Sequence, residues 1–316
     1  WMIEGRRQTR FIRDDAKTKT TTEMRELLDI PARLRAMDDM GVDVQVMYPT
    51  LFLVEGTDKP EVELAIRRSY NRWLGDRCQQ SGGRLRWVCA PPMRTIDKAL
   101  EELRFAKDRG ACGVLKKGNQ EADKWPSDEY FFPLYEEAER LDMPICFHAG
   151  SGVPDFSPVR EFQNSVLLRV EFSAPNAFEA MIKFGITKQF PKLRFGFIEA
   201  GASWVPYLLY FMRRRNSQAM AGSLGSMSYE LGPNPLREHR YWVTCQVDED
   251  LPYIVQFTGE DNLITGSDFT HADAATEPRF TSQLRERASR GEIGETLVRK
   301  ITQDNPREFY GLQART

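Results

Sequence analysis

The sequence predicts an α/β fold, a parallel barrel of the TIM type, because short apolar runs alternate with amphipathic segments. Helical patterns separate the apolar runs, and strands that alternate with helices form parallel βα units. We count seven buried strands, centred near residues 44, 86, 114, 146, 196, 243 and 264. The closed parallel barrel has eight strands. We therefore expect a (β/α)8 barrel whose first strand precedes Trp1 and is missing from this chain.

Each predicted element rests on a local pattern of apolar, Gly and Pro residues. The strands, in order, are residues 42–47, 85–90, 113–116, 145–148, 193–199, 241–246 and 263–267. Apolar positions at helical spacing predict helices over 31–40, 60–80, 95–107, 127–141, 176–184, 204–215, 251–257 and 293–302. Gly41 and Gly110 end two of these helices. Residues 1–316 are interpreted as a single domain, with 1–30 a surface loop or insert and 304–316 a C-terminal tail.

Composition restricts the class of protein. Charged residues make up 28% of the 316 positions and the net charge is −2, which argues against a nucleic-acid or membrane partner. No apolar run approaches the roughly 20 residues of a membrane span. The five cysteines show no CxxC spacing, so we expect reduced core thiols in a cytoplasmic protein.

Chemically active side chains stand at predicted strand ends. His148 closes one apolar run, Glu199 follows another, and Asp268 follows the last, with His271 close behind. The carboxyl ends of barrel strands meet at one face, and a His with an Asp there is typical of a metal site. We expect His148 and Asp268 to bind one divalent ion, and Asp268, Glu199 and His271 to be catalytic. A mixed His/carboxylate site suits Zn or Mn.

Each of these residues also has a structural interpretation. His148 could be a hydrogen-bonded core histidine, Asp268 a turn residue and Glu199 a partner for the N-terminus of the next helix. His271 could merely hold a loop.

Substrate contacts are predicted at the ends of other strands. Lys116 could face the mouth and bind a carboxylate, or point outward as a solvated charge, with Lys117 taking the other role. Tyr48 and Gln246 are further candidates, although both could be ordinary barrel residues. The long connections 149–175 and 216–236 are the kind of loop that often carries function.

Four segments resemble the amidohydrolase-2 family, which includes aminocarboxymuconate-semialdehyde decarboxylase. They are 144–148 (PICFH), 190–206 (FPKLRFGFIEAGASWVP), 266–271 (GSDFTH) and 304–311 (DNPREFYG). The resemblance implies a (β/α)8 barrel with one divalent metal at its C-terminal mouth. It implies ligands from a first-strand motif that this chain does not contain, from His148 after the fifth strand and from Asp268 after the eighth. Glu199 stands where the family's decarboxylases usually carry His.

The expected function is that of a metal-dependent hydrolase acting on a small molecule. Asp268 would take a proton from a metal-activated water, and the hydroxide would attack an amide, lactone or ester carbonyl. One alternative is a non-oxidative, metal-dependent decarboxylase of an aromatic or enol acid, which Glu199 disfavours unless His271 supplies the proton. The other is a non-catalytic barrel without metal. The family resemblance also implies a homo-oligomer.

Overall fold

A seven-stranded parallel sheet forms the centre of the molecule. The computed structural model describes residues 2–7, 18–53, 56–150, 172–220, 229, 231–272 and 276–312. The strands of the main sheet are β3 (Gln45–Met47), β4 (Leu85–Cys89), β5 (Ala111–Lys117), β6 (Ile145–His148), β7 (Phe195–Ile198), β8 (Tyr241–Cys245) and β9 (Leu263–Thr265). They pair in chain order and all in parallel. The predicted α/β barrel class is therefore confirmed, with seven strands in the described part of the chain.

A short antiparallel hairpin precedes this sheet. It consists of β1 (Met2–Ile3) and β2 (Arg6–Arg7). Glu4 in its turn lies 2.5 Å from Lys59 Nζ and accepts a hydrogen bond of 2.5 Å from the Thr57 hydroxyl. These contacts attach the hairpin to the start of the first long helix. That the whole chain forms one domain stays a prediction.

Helices follow the strands of the main sheet. The α-helices described are Thr22–Arg25, Ile30–Asp39, Pro60–Gln79, Ile96–Asp108, Phe132–Arg140, Ser173–Lys183, Ile186–Gln189, Trp204–Met220, Pro235–His239, Leu251–Thr258, Phe280–Ser289, Glu295–Arg299 and Asn305–Tyr310. Five of these helices were not predicted, and the longest of the five, Phe280–Ser289, buries only Phe280 and Leu284 among residues that are largely polar. Within the ranges given above, no helix combines the length and apolar character that a bilayer crossing needs.

Aromatic side chains pack the layer between sheet and helices. The rings of Phe147 and Phe197, on neighbouring strands, stack at 5.7 Å, and Tyr241 meets Phe178 of the helix Ser173–Lys183 edge-on at 4.7 Å. All five cysteines are buried free thiols, as expected. This buried layer holds the strands in place and so positions the residues at the strand ends.

The C-terminal helix packs Phe309 and Tyr310 into the barrel interior. Phe309 is fully buried and lies against Gly196 of β7, where a Cβ atom would stand 2.2 Å from the Phe309 ring. Gly196 is in register with Cys146 and Trp242, so this face of the sheet is the lumen. The predicted C-terminal tail therefore supplies part of the interior packing.

Candidate active site

A cavity of about 1450 Å³ is lined by residues at the carboxyl ends of the strands and extends along β3 and the helices Phe280–Ser289 and Glu295–Arg299. Six of the seven predicted site residues line it: Tyr48, His148, Glu199, Gln246, Asp268 and His271. They follow or end five different strands, from β3 to β9. Residues 151–171, most of the long connection expected to carry specificity, lie outside the described residues, as do 221–228 of the second.

His148 ends β6 with both ring nitrogens engaged. Its Nδ1 lies 2.7 Å from the Ala149 carbonyl oxygen and its Nε2 lies 2.8 Å from Glu199 Oε2. A carbonyl oxygen only accepts hydrogen bonds, so the Nδ1 atom carries a proton. In a neutral ring the bare Nε2 would then face a carboxylate, acceptor against acceptor. This pair therefore requires a further proton, on the ring or on the carboxyl group, or a metal ion.

The pKa of His148 is raised overall. Burial acts most strongly and lowers the pKa, but the charge and hydrogen bond of Glu199 raise it, as do the Ala149 carbonyl and the Asp268 charge. The combined raising effects outweigh the burial. The surroundings of His148 thus favour a positive charge next to Nε2.

Glu199 takes its position from an unusual backbone conformation. Its φ angle is +62°, in the left-handed region that non-glycine residues seldom occupy. Its N–H donates to Thr244 Oγ1 at 2.8 Å, and the Thr244 hydroxyl donates to the Phe197 carbonyl at 3.2 Å. Such conformations concentrate at functional sites, where surrounding contacts hold them. Here Thr244 of β8 ties the end of β7 in place.

Asp268 follows β9 in a similar conformation, with φ at +45°. Its Oδ1 lies 2.8 Å from His271 Nδ1, and its Oδ2 accepts a hydrogen bond of 3.2 Å from the Thr276 hydroxyl. A carboxylate only accepts, so His271 Nδ1 carries the proton of this bond. Asp268 therefore fixes both the orientation of the His271 ring and the nitrogen that holds a proton.

The other nitrogen of His271 contacts the segment that follows β3. His271 Nε2 lies 3.0 Å from Thr50 Oγ1, a residue 221 positions earlier in the chain. A hydroxyl can donate or accept. Thr50 can therefore donate to a neutral His271 ring and accept from a protonated one, so the contact suits both protonation states.

The carboxylates and histidines can hold a metal ion. One ligand atom each from Glu199, Asp268 and His271 lies within 4.8 Å of the other two, among the residues whose placement is described. His148 Nε2 adjoins this group, 2.8 Å from Glu199 Oε2. Imidazole and carboxylate together suit Mn or Zn. The donor set thus fits the divalent ion that the sequence predicts.

Lys116 lies outside the cavity, contrary to the expectation that it faces the mouth. Its Nζ is 3.0 Å from Glu121 Oε2 and 3.5 Å from the centre of the Phe131 ring, fully buried. Lys116 is in register with Phe147, whereas Lys117 is in register with His148. Register partners point to the same face of a sheet, so the ion pair with Glu121 holds Lys116 on the helix side.

Two tyrosines form a hydrogen bond with each other near His148. Tyr48 and Tyr310 meet through their hydroxyls at 2.6 Å, and the Tyr48 ring centre lies 5.2 Å from that of His148. Burial raises the pKa of both phenols well above the usual range. Sequence reasoning predicted Tyr48 but missed Tyr310 and Thr50. No local pattern marks these two residues, since each meets its partner across more than 200 positions of chain.

Comparison with known proteins identifies relatives. The chain is 27% identical over 201 residues to gamma-resorcylate decarboxylase from Rhizobium sp. (strain MTP-10005), a match that covers 60% of this chain and 61% of that protein. It is 24% identical over 292 residues to 2-amino-3-carboxymuconate-6-semialdehyde decarboxylase from Dictyostelium discoideum, covering 90% of this chain and 77% of the relative. The chain thus spans less than two thirds of the Rhizobium protein.

The fold is shared with a solved decarboxylase. The structure of 5-carboxyvanillate decarboxylase from Novosphingobium aromaticivorans, in complex with manganese and 4-hydroxy-3-methoxy-5-nitrobenzoic acid, superposes with a TM-score of 0.71 at 17% identity. The superposition covers 92% of this chain and 83% of the other. At this identity the likeness concerns the fold alone.

These comparisons correct the expected reaction. Both curated relatives are decarboxylases, so the expectation of a hydrolase is wrong and the decarboxylase alternative is the better supported. The amidohydrolase family model matches residues 19–312, nearly the whole chain. On this match, with the barrel and the site at its mouth, the chain belongs to the amidohydrolase family.

Proposed function

We propose that this chain is a metal-dependent, non-oxidative decarboxylase of a small aromatic or enol acid. The observation that carries the proposal is the contact of 2.8 Å between His148 Nε2 and Glu199 Oε2, two acceptor atoms that a metal ion can join, next to the hydrogen-bonded pair of Asp268 and His271. The decarboxylase relatives supply the reaction class.

Three residues would hold the metal ion: His148, Glu199 and Asp268. A divalent ion held there would supply positive charge that stabilises the carboxylate of a substrate. His148 presents Nε2 because the Ala149 carbonyl keeps the other nitrogen protonated. Glu199 and Asp268 add two negative charges, which balance a dication in this half-buried site.

His271 is the proton donor in this proposal. Its Nδ1–H is held by Asp268, whose negative charge favours a second proton on the ring. That proton sits on Nε2, and the Thr50 hydroxyl accepts it between turnovers. Glu199 cannot act as a cationic acid, so His271 is the residue proposed to supply the proton.

The reaction balances with one proton. His271 Nε2 gives its proton to the substrate carbon that carries the carboxylate, and a new C–H bond forms. The bond from that carbon to the carboxylate then breaks, its electron pair returns to the ring or enol system, and CO2 leaves. The anionic acid and the imidazolium become a neutral product, CO2 and a neutral His271. The Thr50 hydroxyl then donates to the bare Nε2.

Tyr48 and Gln246 are proposed to contact the substrate. Both line the cavity, and Tyr48 lies over His148 with its hydroxyl bonded to Tyr310. A flat aromatic substrate could pack against this ring. The predicted homo-oligomer stays a prediction.

Metal content and CO2 release test the proposal together. The chain would be purified, analysed by elemental mass spectrometry and incubated with hydroxybenzoic acids and unsaturated enol acids while headspace CO2 is measured. We expect about one Mn or Zn per chain and CO2 release that stops on chelation and returns with metal. CO2 release at full rate from metal-free protein would contradict the proposal, as would a metal-loaded chain that releases no CO2 from any acid.

A further inference from the structure

Glu249, on the turn after β8, gathers an unusual number of backbone donors around its carboxylate. Its Oε1 accepts from the Ala202 N–H at 2.9 Å, the Ser203 N–H at 2.7 Å and the Ser203 hydroxyl at 2.6 Å. Its Oε2 accepts from the Gln246 N–H at 2.7 Å and also lies 3.1 Å from the Ala202 nitrogen. One side chain thus joins the turn after β7 to the turn after β8.

The turn that Glu249 holds begins at Glu199. Residues 199–203 connect the end of β7 to the helix Trp204–Met220, and Gly201 within it has a φ angle of +63°. A Cβ atom at position 201 would lie 3.0 Å from Glu249 Oε1, so glycine is what lets the carboxylate approach. The Trp204 indole N–H donates to the Gly201 carbonyl at 2.8 Å. The turn is therefore anchored just after Glu199.

Glu249 is itself anchored from the segment that follows β9. The Arg287 guanidinium, on the helix Phe280–Ser289, donates to the Val247 carbonyl and, at 3.0 Å, to the Glu249 carbonyl. The contacts run from this helix through Arg287 to Glu249, and from Glu249 to the turn that starts at Glu199. They link three consecutive βα units of the barrel.

We propose that Glu249 is a positioning residue, whose carboxylate sets the place of the Glu199 side chain and thereby the metal affinity of the site. The inference rests on the proposed metal site. Glu199 holds a left-handed backbone conformation that persists only where neighbouring contacts enforce it. Thr244 accepts a hydrogen bond from the Glu199 N–H, and Glu249 holds the turn that follows Glu199 through Ala202 and Ser203. Residues that orient metal ligands commonly change metal affinity 10- to 100-fold when mutated.

Glu249→Gln tests this with little change in shape. The amide keeps one oxygen but replaces the other with an NH2 donor, which would face backbone N–H groups. Asp250→Asn is the matched control, because Asp250 is the next residue and also caps a helix, accepting from the Tyr253 N–H at 3.1 Å. None of the hydrogen bonds described for the Asp250 side chain leads to Glu199.

Metal affinity gives the first readout. Competition with a chromophoric chelator would measure Mn²⁺ and Zn²⁺ binding to the wild type and both variants, with circular dichroism as a check on folding. We expect Glu249→Gln to bind metal about 10-fold or more weakly, and Asp250→Asn to bind as the wild type does. Equal affinity in the two variants would overturn the inference.

Hydrogen exchange in metal-free protein gives a readout that needs no metal. The Glu199 N–H bonds to Thr244 and not to Glu249, so a mere helix cap would leave its exchange unchanged. We expect Glu249→Gln to speed exchange at Glu199 as well as at Ala202 and Ser203. Faster exchange at Ala202 and Ser203 alone would overturn the inference. A wild type that binds no metal would overturn the proposed function, whereas this exchange measurement still decides the role of Glu249.

Ser203→Ala covers the case in which Glu249→Gln does not fold. It removes only the hydroxyl bond to Glu249 Oε1. We expect Ser203→Ala to speed hydrogen exchange at Glu199 and to weaken metal binding, both by less than in Glu249→Gln. No change in either measurement would count against Glu249 as a positioning residue.

Discussion

At the scale of single residues, the two histidines of the cavity differ in what their second nitrogen meets. His148 Nε2 faces a carboxylate and His271 Nε2 faces a hydroxyl. A carboxylate cannot donate a proton to a bare ring nitrogen, whereas a hydroxyl can donate or accept. His148 is therefore suited to hold a cation, and His271 is suited to gain and lose a proton.

Substitution of His271 should separate these two roles. In His271→Gln we expect kcat for CO2 release to fall about 10²- to 10⁴-fold, the usual worth of a positioned general acid, while metal content stays at the wild-type level. Elemental mass spectrometry and steady-state kinetics on the same preparation measure both. Asp268→Asn is the comparison, and we expect it to lose metal and activity together. Loss of metal in His271→Gln with activity restored by excess Mn²⁺ would contradict the assignment.

At the scale of elements, ion pairs connect neighbouring helices on the outside of the barrel. Glu137 of the helix Phe132–Arg140 bonds Arg140 on its own helix and, at 2.6 Å, Arg104 of the helix Ile96–Asp108. The hydrogen bonds from Arg140 have the largest effect and lower the pKa of the Glu137 carboxyl. Burial raises this pKa, and the hydrogen bond and charge of Arg104 lower it further. The pKa is lowered to about 2.

Glu137→Gln should destabilise the protein in a pH-dependent way. A carboxyl group whose pKa is lower in the folded state stabilises the protein at pH values above its pKa in the unfolded chain, near 4.5. This stabilisation is lost as the pH falls towards the pKa of the folded state. At pH 7 we expect the variant to lose about 1 kcal/mol of unfolding free energy, since both arginines are largely exposed. The difference should shrink from pH 4.5 downward in urea titrations. Glu136→Gln, at an exposed position of the same helix, should show no comparable loss.

Interior packing of the C-terminal helix makes Gly196 hard to replace. Gly196→Ala would place a methyl group 2.2 Å from the Phe309 ring, and we expect a loss of about 1–3 kcal/mol from overpacking. Phe309→Ala should cost about 3–5 kcal/mol through the cavity it leaves. The double variant should lose less unfolding free energy than the two single variants together, because the space left by Phe309→Ala accommodates the methyl group of Gly196→Ala. Additive losses in denaturant titrations would argue against this contact, and Gly294→Ala, with open space around it, is the control.

At the scale of the whole molecule, side chains link the first and last strands of the sheet. Thr50, after β3, meets His271, after β9, and Tyr48 meets Tyr310 of the C-terminal helix. Both contacts join distant parts of the chain at the cavity. The site therefore depends on side-chain contacts between the two ends of the sheet as well as on single strands.

Metal binding should stabilise the whole fold by mass action. At free Mn²⁺ about 100-fold above Kd we expect a gain of about 2.7 kcal/mol in unfolding free energy, seen as a higher Tm than in chelator. Asp268→Asn should show no such gain. A wild-type Tm that is the same with Mn²⁺ and with chelator would mean that the folded chain does not bind the ion.

The reaction class is a point at which sequence reasoning failed. The hydrolase expectation took Glu199, which stands where the family's decarboxylases usually carry His, as a reason against decarboxylation unless His271 supplies the proton. The structure places His271 against Asp268 and Thr50, the contacts on which the proposed proton transfer rests. The relatives are decarboxylases.

The sequence by itself determined the strands, most helices and the candidate site residues. Apolar runs and strand-end polar residues are local patterns, so all seven strands and the positions of His148, Glu199 and Asp268 were predictable from short segments. Only the tertiary structure decided that Lys116 points to Glu121, that Thr50 and Tyr310 reach the cavity, and that Glu249 holds the turn after Glu199. These facts depend on which face of a strand a side chain takes and on contacts across tens to hundreds of positions, and no local pattern encodes either.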